Sequence, residues 1–257
     1  MVKYKLTIQY LGTRFSGWQI QKDRKTVQQT LKEAVTRVTG ETASVVGAGR
    51  TDAGVHALEQ VAHLRLESSM PARRLQRALN GVLPADIRVK RLARVSLVFH
   101  AQKDAVKKRY VYRIVNDQVL SPFLKGLVCH IFPKLDVGAM DAAARLFEGH
   151  HDFTAFAAST TTVKDRHRTV FRSQVRKRGT EIRYEVEADG FLHHMVRNMA
   201  GTLIEVGTGK RQVADIGRIL ESGDRRQAGV TAPPEGLYLA KVWYGKPKTR
   251  LSAGSTL

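Results

Sequence analysis

The order in which hydrophobic periodicity changes along the first hundred residues constrains this chain more than any other feature. Residues 3–10 alternate as a half-buried strand does. Thr26 then stands where a helix N-cap belongs. After it Val27, Leu31, Ala34, Val35 and Val38 recur at helical spacing, and Gly40 supplies a stop. A short strand over 44–46, a strand over 58–66, a helix from Met70-Pro71 through Leu75, Ala78 and Leu79 that ends before Gly81, and a strand over 87–95 complete the series. This β-α-β-β-α-β order is the split pattern of ferredoxin-like domains. The second half repeats it with longer connections: a strand over 107–115, a helix over 137–147, a hairpin of 169–178 and 181–188 about Gly179-Thr180, a helix over 191–206 and a closing strand over 237–244. An extra short helix is expected over 213–221. No sequence-level repeat accompanies the repeated order. The expected fold is α+β, with two ferredoxin-like lobes over 1–100 and 101–246 and a frayed basic tail over 247–257.

Charge narrows the partner. A formal net charge of +20 with 42% apolar residues describes a globular chain whose self-repulsion a polyanion would relieve. Nucleic acid leads. An anionic membrane comes second, because no apolar run approaches the ~18 residues of a spanning helix and the first residues lack a signal-peptide core. Cys129 is the single cysteine, which excludes an internal disulfide and a Cys-Cys metal clamp and fits a reducing cytoplasm. No His-Glu-x-x-His spacing occurs, and the doublets His150-His151 and His193-His194 are expected to point their rings apart, so no metal site is expected. Neither a dinucleotide fingerprint nor a Walker A motif is present.

Chemistry concentrates in Gly47-Ala-Gly-Arg-Thr-Asp-Ala-Gly-Val-His-Ala57, where Asp52 lies among Gly47, Gly49 and Gly54 and beside Arg50 and His56. The glycines suit a tight surface loop that exposes the acid. A solvated turn is the alternative. Arg166, Arg168, Arg172, Arg176 and Arg178 share even parity while Phe171 and Val175 are odd, so a regular strand would carry an arginine strip on one face for phosphates. Lys103, Lys107, Lys108, Arg109 and Arg113 border Tyr110 and Tyr112, a mixture that suits unpaired or flipped bases. Arg197 interrupts the apolar helix 191–201 and needs an acid partner if it is buried; Asp52 is the available one.

Four longer stretches, GAGRTDAGVHA at 47–57, KKRYVYRI at 107–114, FLHHMVRNMAG at 191–201 and APPEGLYL at 232–239, resemble the TruA-type tRNA pseudouridine synthases. Gly17-Trp-Gln19, Thr26-Val-Gln28 and His151-Asp-Phe-Thr-Ala-Phe156 extend the resemblance from near residue 3 to about residue 244.

The resemblance implies two ferredoxin-like lobes sharing a mostly antiparallel sheet, with the catalytic cleft between them. It implies an isomerase that converts uridine to pseudouridine in the anticodon stem-loop of tRNA, acts as a homodimer, and needs no cofactor or metal. Asp52 matches the nucleophile, and an aspartate side chain is ionised at neutral pH. Three routes start from it: attack on the sugar, attack on the base, or removal of a ribose proton towards a glycal. Tyr110 matches the tyrosine that stacks on the extruded uracil, Arg197 the basic residue paired with the aspartate, Leu237 the apolar residue beside the base, and Arg50 the arginine that fills the space a flipped base vacates. A non-catalytic tRNA-binding or chaperone protein is the alternative, and a hydrolase using Asp52 and His56 a third reading.

Overall fold

The computed structural model describes residues 1–245; the tail expected over 247–257 lies outside the described residues. Strand β1 (Val2–Tyr10) buries Tyr4, Leu6 and Ile8 completely. Lys3 on the same strand is also buried, and its ammonium donates to the carbonyls of Leu97 and Phe99. Helix α1 (Val27–Thr39) is bounded as its sequence expects: Thr26 Oγ1 accepts from Gln29 N at 3.3 Å, and Gly40 closes the helix at φ 74°. The first half continues through β2 (Val46–Gly47), β3 (His56–Leu66), α2 (Ala72–Val82) and β4 (Ile87–Val95). The second comprises β5 (Ala105–Asn116), β6 (Cys129–Ile131), α3 (Val137–Arg145), β7 (Gly149–Asp152), β8 (His167–Arg178), β9 (Glu181–Ala188), α4 (Met195–Gly207), α5 (Asp215–Ser222) and β10 (Leu237–Tyr244).

One ten-stranded sheet runs β4-β1-β3-β10-β5-β9-β8-β7, with β2 beside β3 and β6 beside β5. In each half the opening strand lies between the half's closing strand and the second strand of its hairpin, with antiparallel neighbours: β1 between β4 and β3, β5 between β10 and β9. This is the ferredoxin-like arrangement, made twice, so the α+β fold is as expected. The halves join where β3 and β10 run parallel for two residue pairs, Tyr238 opposite His56 and Leu239 opposite Ala57. His56 stacks on Tyr238 at that seam, centroids 4.6 Å apart. No helix among the described residues is long and apolar enough to cross a membrane.

The departures have local causes. Helix α2 continues past Gly81 to Val82, its last turn held by Asn80, which donates to Val89 O at 3.0 Å and accepts from Val89 N at 2.8 Å. Helix α4 begins at Met195 rather than 191 because His194 has φ 61°, which no right-handed helix contains. A bulge breaks the arginine strip: Val170 faces Ala188 and Arg172 faces Glu187, leaving Phe171 unpaired and 52% exposed. Arg168 and Arg172 therefore lie on opposite faces of the sheet, and Phe171 is not a core residue. The cation cluster about Tyr110 divides likewise. Lys107 and Arg109 share the carboxylate of Glu187 and Arg113 pairs with Glu181, whereas Lys108 alternates onto the face of the buried Tyr110 and Tyr112.

Candidate active site

The Asp52 loop crosses the end of β3 and is tied down on both flanks. Tyr10 Oη and Thr51 Oγ1 hydrogen-bond at 2.8 Å, Gln60 Nε2 donates to Gly49 O at 2.9 Å, and Trp18 N donates to Thr51 O at 3.0 Å. Tyr10, Thr51 and Gln60 are all buried, so the acid sits on a rigid base. Two of the loop glycines serve the protein rather than an incoming ligand. A Cβ on Gly47 would lie 2.6 Å from the Trp18 ring, and Gly54 has φ 79° with Pro234 Cγ 3.0 Å from its Cβ position. At Gly49 only the flexible end of Lys108 is near, at 3.3 Å. Gly49 alone of the three therefore leaves room for a close approach from outside.

Helix α4 brings the partners from the other half. Arg197 Nη1 donates to Asp52 Oδ2 at 3.0 Å, and its Nε donates to Ala232 O at 2.8 Å, while Ala232 N returns a bond to Arg197 O at 3.1 Å. The Arg197 side chain is 13% exposed and the Asp52 side chain 21%. The pair expected from the sequence is thus formed, at a depth where a bare carboxylate would be costly. The helix itself is anchored by buried Asn198, which donates to Phe156 O at 2.7 Å and accepts from Arg225 at 3.0 Å and Thr231 at 2.7 Å. This explains why 151–156, 191–201 and 232–239 occur as separate motifs: they meet around one helix.

Two further side chains reach Asp52. His193 Nε2 lies 3.5 Å from Oδ1 and His194 Nε2 lies 3.4 Å from Oδ2. The expected divergence of this doublet does not occur, because the left-handed backbone of His194 turns both rings to one side, 4.0 Å apart. Burial lowers the His194 pKa and Asp52 opposes that shift, with His193, Arg197 and Arg225 adding to it. The donor atoms of Asp52, His193 and His194 lie within 4.8 Å of one another. A residue doublet gives no sign of this, since the signal is in one backbone angle.

Tyr110 is buried on β5, its ring edge-on to Phe191 at 5.0 Å, and its hydroxyl has no hydrogen-bond partner among the described residues. Burial, with Tyr10 and Asp52 nearby, pushes the phenol far above the ordinary tyrosine range. Leu237 opens β10, buried and opposite Tyr112, with Leu239 opposite Tyr110. Arg50 is exposed and forms no ion pair among the described residues, so it projects from the loop. Lys108 is depressed by burial and by Arg168. His56 is fully buried; its Nδ1 accepts from Gly12 N at 3.0 Å, and burial keeps its pKa low. It makes no hydrogen bond to Asp52, which removes the hydrolase reading that paired the two.

A family model described as tRNA pseudouridine synthase matches residues 6–103 and 143–245. The chain is 45% identical over 244 residues to tRNA pseudouridine synthase A of Acetivibrio thermocellus, covering 95% of this chain and all of the relative. It is 44% identical over 245 residues to tRNA pseudouridine synthase A of Citrifermentans bemidjiense, covering 95% and 98% of the two chains. It is also 44% identical over 245 residues to tRNA pseudouridine synthase A 1 of Protochlamydia amoebophila, covering 94% and 96%. A match of this length, spanning both halves and every segment that meets at Asp52, leaves one assignment: the chain belongs to the tRNA pseudouridine synthase family.

Proposed function

We propose that this protein isomerises uridine to pseudouridine in the anticodon arm of tRNA, with Asp52 as the nucleophile. The observation that carries the reading is the Asp52–Arg197 pair, an acid on the loop before β3 and its counter-ion on α4, contributed by the two halves of the chain. A pure RNA binder gains nothing from an acid aimed at a polyanion; a carboxylate oriented by a guanidinium serves a nucleophile. The N1–C1′ bond breaks, the uracil turns in place and C5 bonds to C1′; the C5 proton leaves to solvent while N1 takes one up, any bond made to Asp52 is broken again, and the product is an isomer of the substrate. Tyr110 stacks on the extruded base, Leu237 packs beside it, and Arg50 occupies the space it vacated. The lobes 1–100 and 101–246 form the two walls of the cleft, and the working unit is a cytoplasmic homodimer.

Bulk tRNA labelled with tritium at uridine C5 tests the reading. Tritium should be released with the chain intact. Asp52→Asn should abolish release while retaining tRNA binding, whose affinity should fall with salt at a log–log slope of about −0.7 to −0.9 per phosphate neutralised. Tritium release by purified Asp52→Asn at the parent rate would overturn the assignment.

A further inference from the structure

His194 is one of two non-glycine residues among those described with a positive φ, at 61°. A side chain is held in that region only where its surroundings over-determine it, and such positions cluster at functional sites. Here the turn aims two consecutive imidazoles at a single carboxylate. We propose that Asp52, His193 and His194 form a binding site for a divalent transition metal, zinc foremost, and that the bound ion disables the carboxylate as a nucleophile. The second clause rests on the role given to Asp52 above; the first does not.

Spacing supports the ion. Zinc bonded at about 2.0–2.2 Å in a tetrahedron sets its donor atoms roughly 3.3–3.6 Å apart. His193 Nε2 stands 3.5 Å from Oδ1 and His194 Nε2 3.4 Å from Oδ2, and one donor atom from each of the three side chains lies within 4.8 Å of the others, so small side-chain rotations close the set around an ion. Two imidazoles and a carboxylate make a set that zinc accepts, with a fourth position left for water. Side-chain exposures of 48% for His193, 31% for His194 and 21% for Asp52 leave the donors open to an ion from solvent. Nitrogen donors also exclude magnesium, which demands oxygen ligands and accompanies RNA in abundance. Arg197 works against a second cation, because its Nη1 holds Oδ2 at 3.0 Å. The site should accordingly exchange its ion rather than keep it. Arg197 retains the Ala232 carbonyl as a partner when the carboxylate turns to the metal.

Cobalt(II) substitutes for zinc and reports its own coordination through visible absorption. The parent protein should bind one cobalt per chain with the strong absorption of a four-coordinate ion, lost on adding zinc and kept on adding magnesium. His193→Gln, His194→Gln and Asp52→Asn should each weaken binding at least tenfold. Zinc should inhibit tritium release by the parent, reversibly on chelation, and each histidine variant should lose at least tenfold of that sensitivity whatever its basal rate. Melting temperature and tRNA affinity report whether a variant has folded; where one has not, zinc-edge X-ray absorption of the parent decides by showing two imidazole ligands or none. Absence of the four-coordinate band under excess cobalt, or equal binding by all three variants, overturns the site and leaves the imidazoles as orienting or RNA-contacting groups. Binding through these side chains with turnover unaffected by zinc supports the site and counts against Asp52 as the nucleophile.

Discussion

Arg197 holds Asp52 and the Ala232 carbonyl with two different nitrogens of one guanidinium, at 3.0 and 2.8 Å. A lysine supplies the charge and donors on a single nitrogen, without the planar fork whose two nitrogens reach Asp52 and the Ala232 carbonyl separately. Hydrogen bonds to charged groups contribute about 1.5–3 kcal/mol, so Arg197→Lys should lower the single-turnover rate roughly 10- to 100-fold. Arg197→Gln, which also removes the counter-ion, should lower it further. Affinity for tRNA should be little changed, since the Arg197 guanidinium is taken up by Asp52 and the Ala232 carbonyl and is largely buried. A lysine variant that turns over at the parent rate would show that Asp52 needs only a nearby positive charge.

Helix α4 approaches the 229–232 segment too closely for any side chain at Gly201, where a Cβ would lie 1.7 Å from Val230 O. Overpacking of this kind costs about 1–3 kcal/mol or more, so Gly201→Ala should lower the melting temperature by at least several degrees. The same exchange at Gly217, inside α5 with nothing within 4 Å, should stabilise by about 0.5–1 kcal/mol. Calorimetry on the two variants gives opposite signs if backbone proximity, rather than helix propensity, governs α4. Because α4 carries Arg197, Gly201→Ala should also reduce turnover in the protein that remains folded.

Much of this architecture was legible in the sequence because the elements that define it are long and periodic. Strands β4, β9 and β10 lie where alternation puts them, and α1 begins and ends at its Thr26 and Gly40 signals. Strands β6 and β7, of three and four residues, were not expected; segments so short carry no alternation, and the neighbours β5 and β8 recruit them. The arginine strip failed for a different reason. Parity arguments hold only while pairing is regular, and one unpaired residue, Phe171, inverts every face beyond it. At the site, Asp52 and Arg197 were legible as an acid and a base each lacking a partner. The convergence of His193 and His194 was not, since neighbouring residues in regular structure point apart and only the angle at His194 brings them together.

His63 should make stability depend on acidity. Its Nδ1 accepts from Ala101 N at 3.1 Å, fixing the connection between the halves, and burial with Lys3, His100 and Arg65 nearby lowers its pKa to about 4. The folded value lies below the unfolded one of about 6.5, so this contribution is fully present above pH 6.5 and is lost as pH falls towards 4. The difference corresponds to about 3 kcal/mol. Urea unfolding at pH 7 and pH 4 should show a loss of that order, and His63→Gln, which can still accept from Ala101 N without titrating, should remove most of it. An unchanged pH slope in the variant would place the acid sensitivity elsewhere.

Tyr110 separates the work of a ring from that of a hydroxyl. The ring is buried against Phe191, so Tyr110→Ala should destabilise by about 3–5 kcal/mol as well as abolish activity. Tyr110→Phe keeps the packing, and with no partner lost by the hydroxyl among the described residues, its melting temperature should match the parent's. Because burial raises the phenol's pKa, a phenolate is not available near neutral pH, and the hydroxyl can act only as a proton donor or relay. If it does so after the uracil has turned, Tyr110→Phe should slow turnover roughly 100-fold while tRNA affinity is retained, since general acid–base groups contribute about 10²–10⁴. The parent's pH–rate profile should then show no alkaline limb below about pH 10, the ordinary tyrosine value, and a limb near neutrality that disappears in Tyr110→Phe would contradict the protonated state derived for this site.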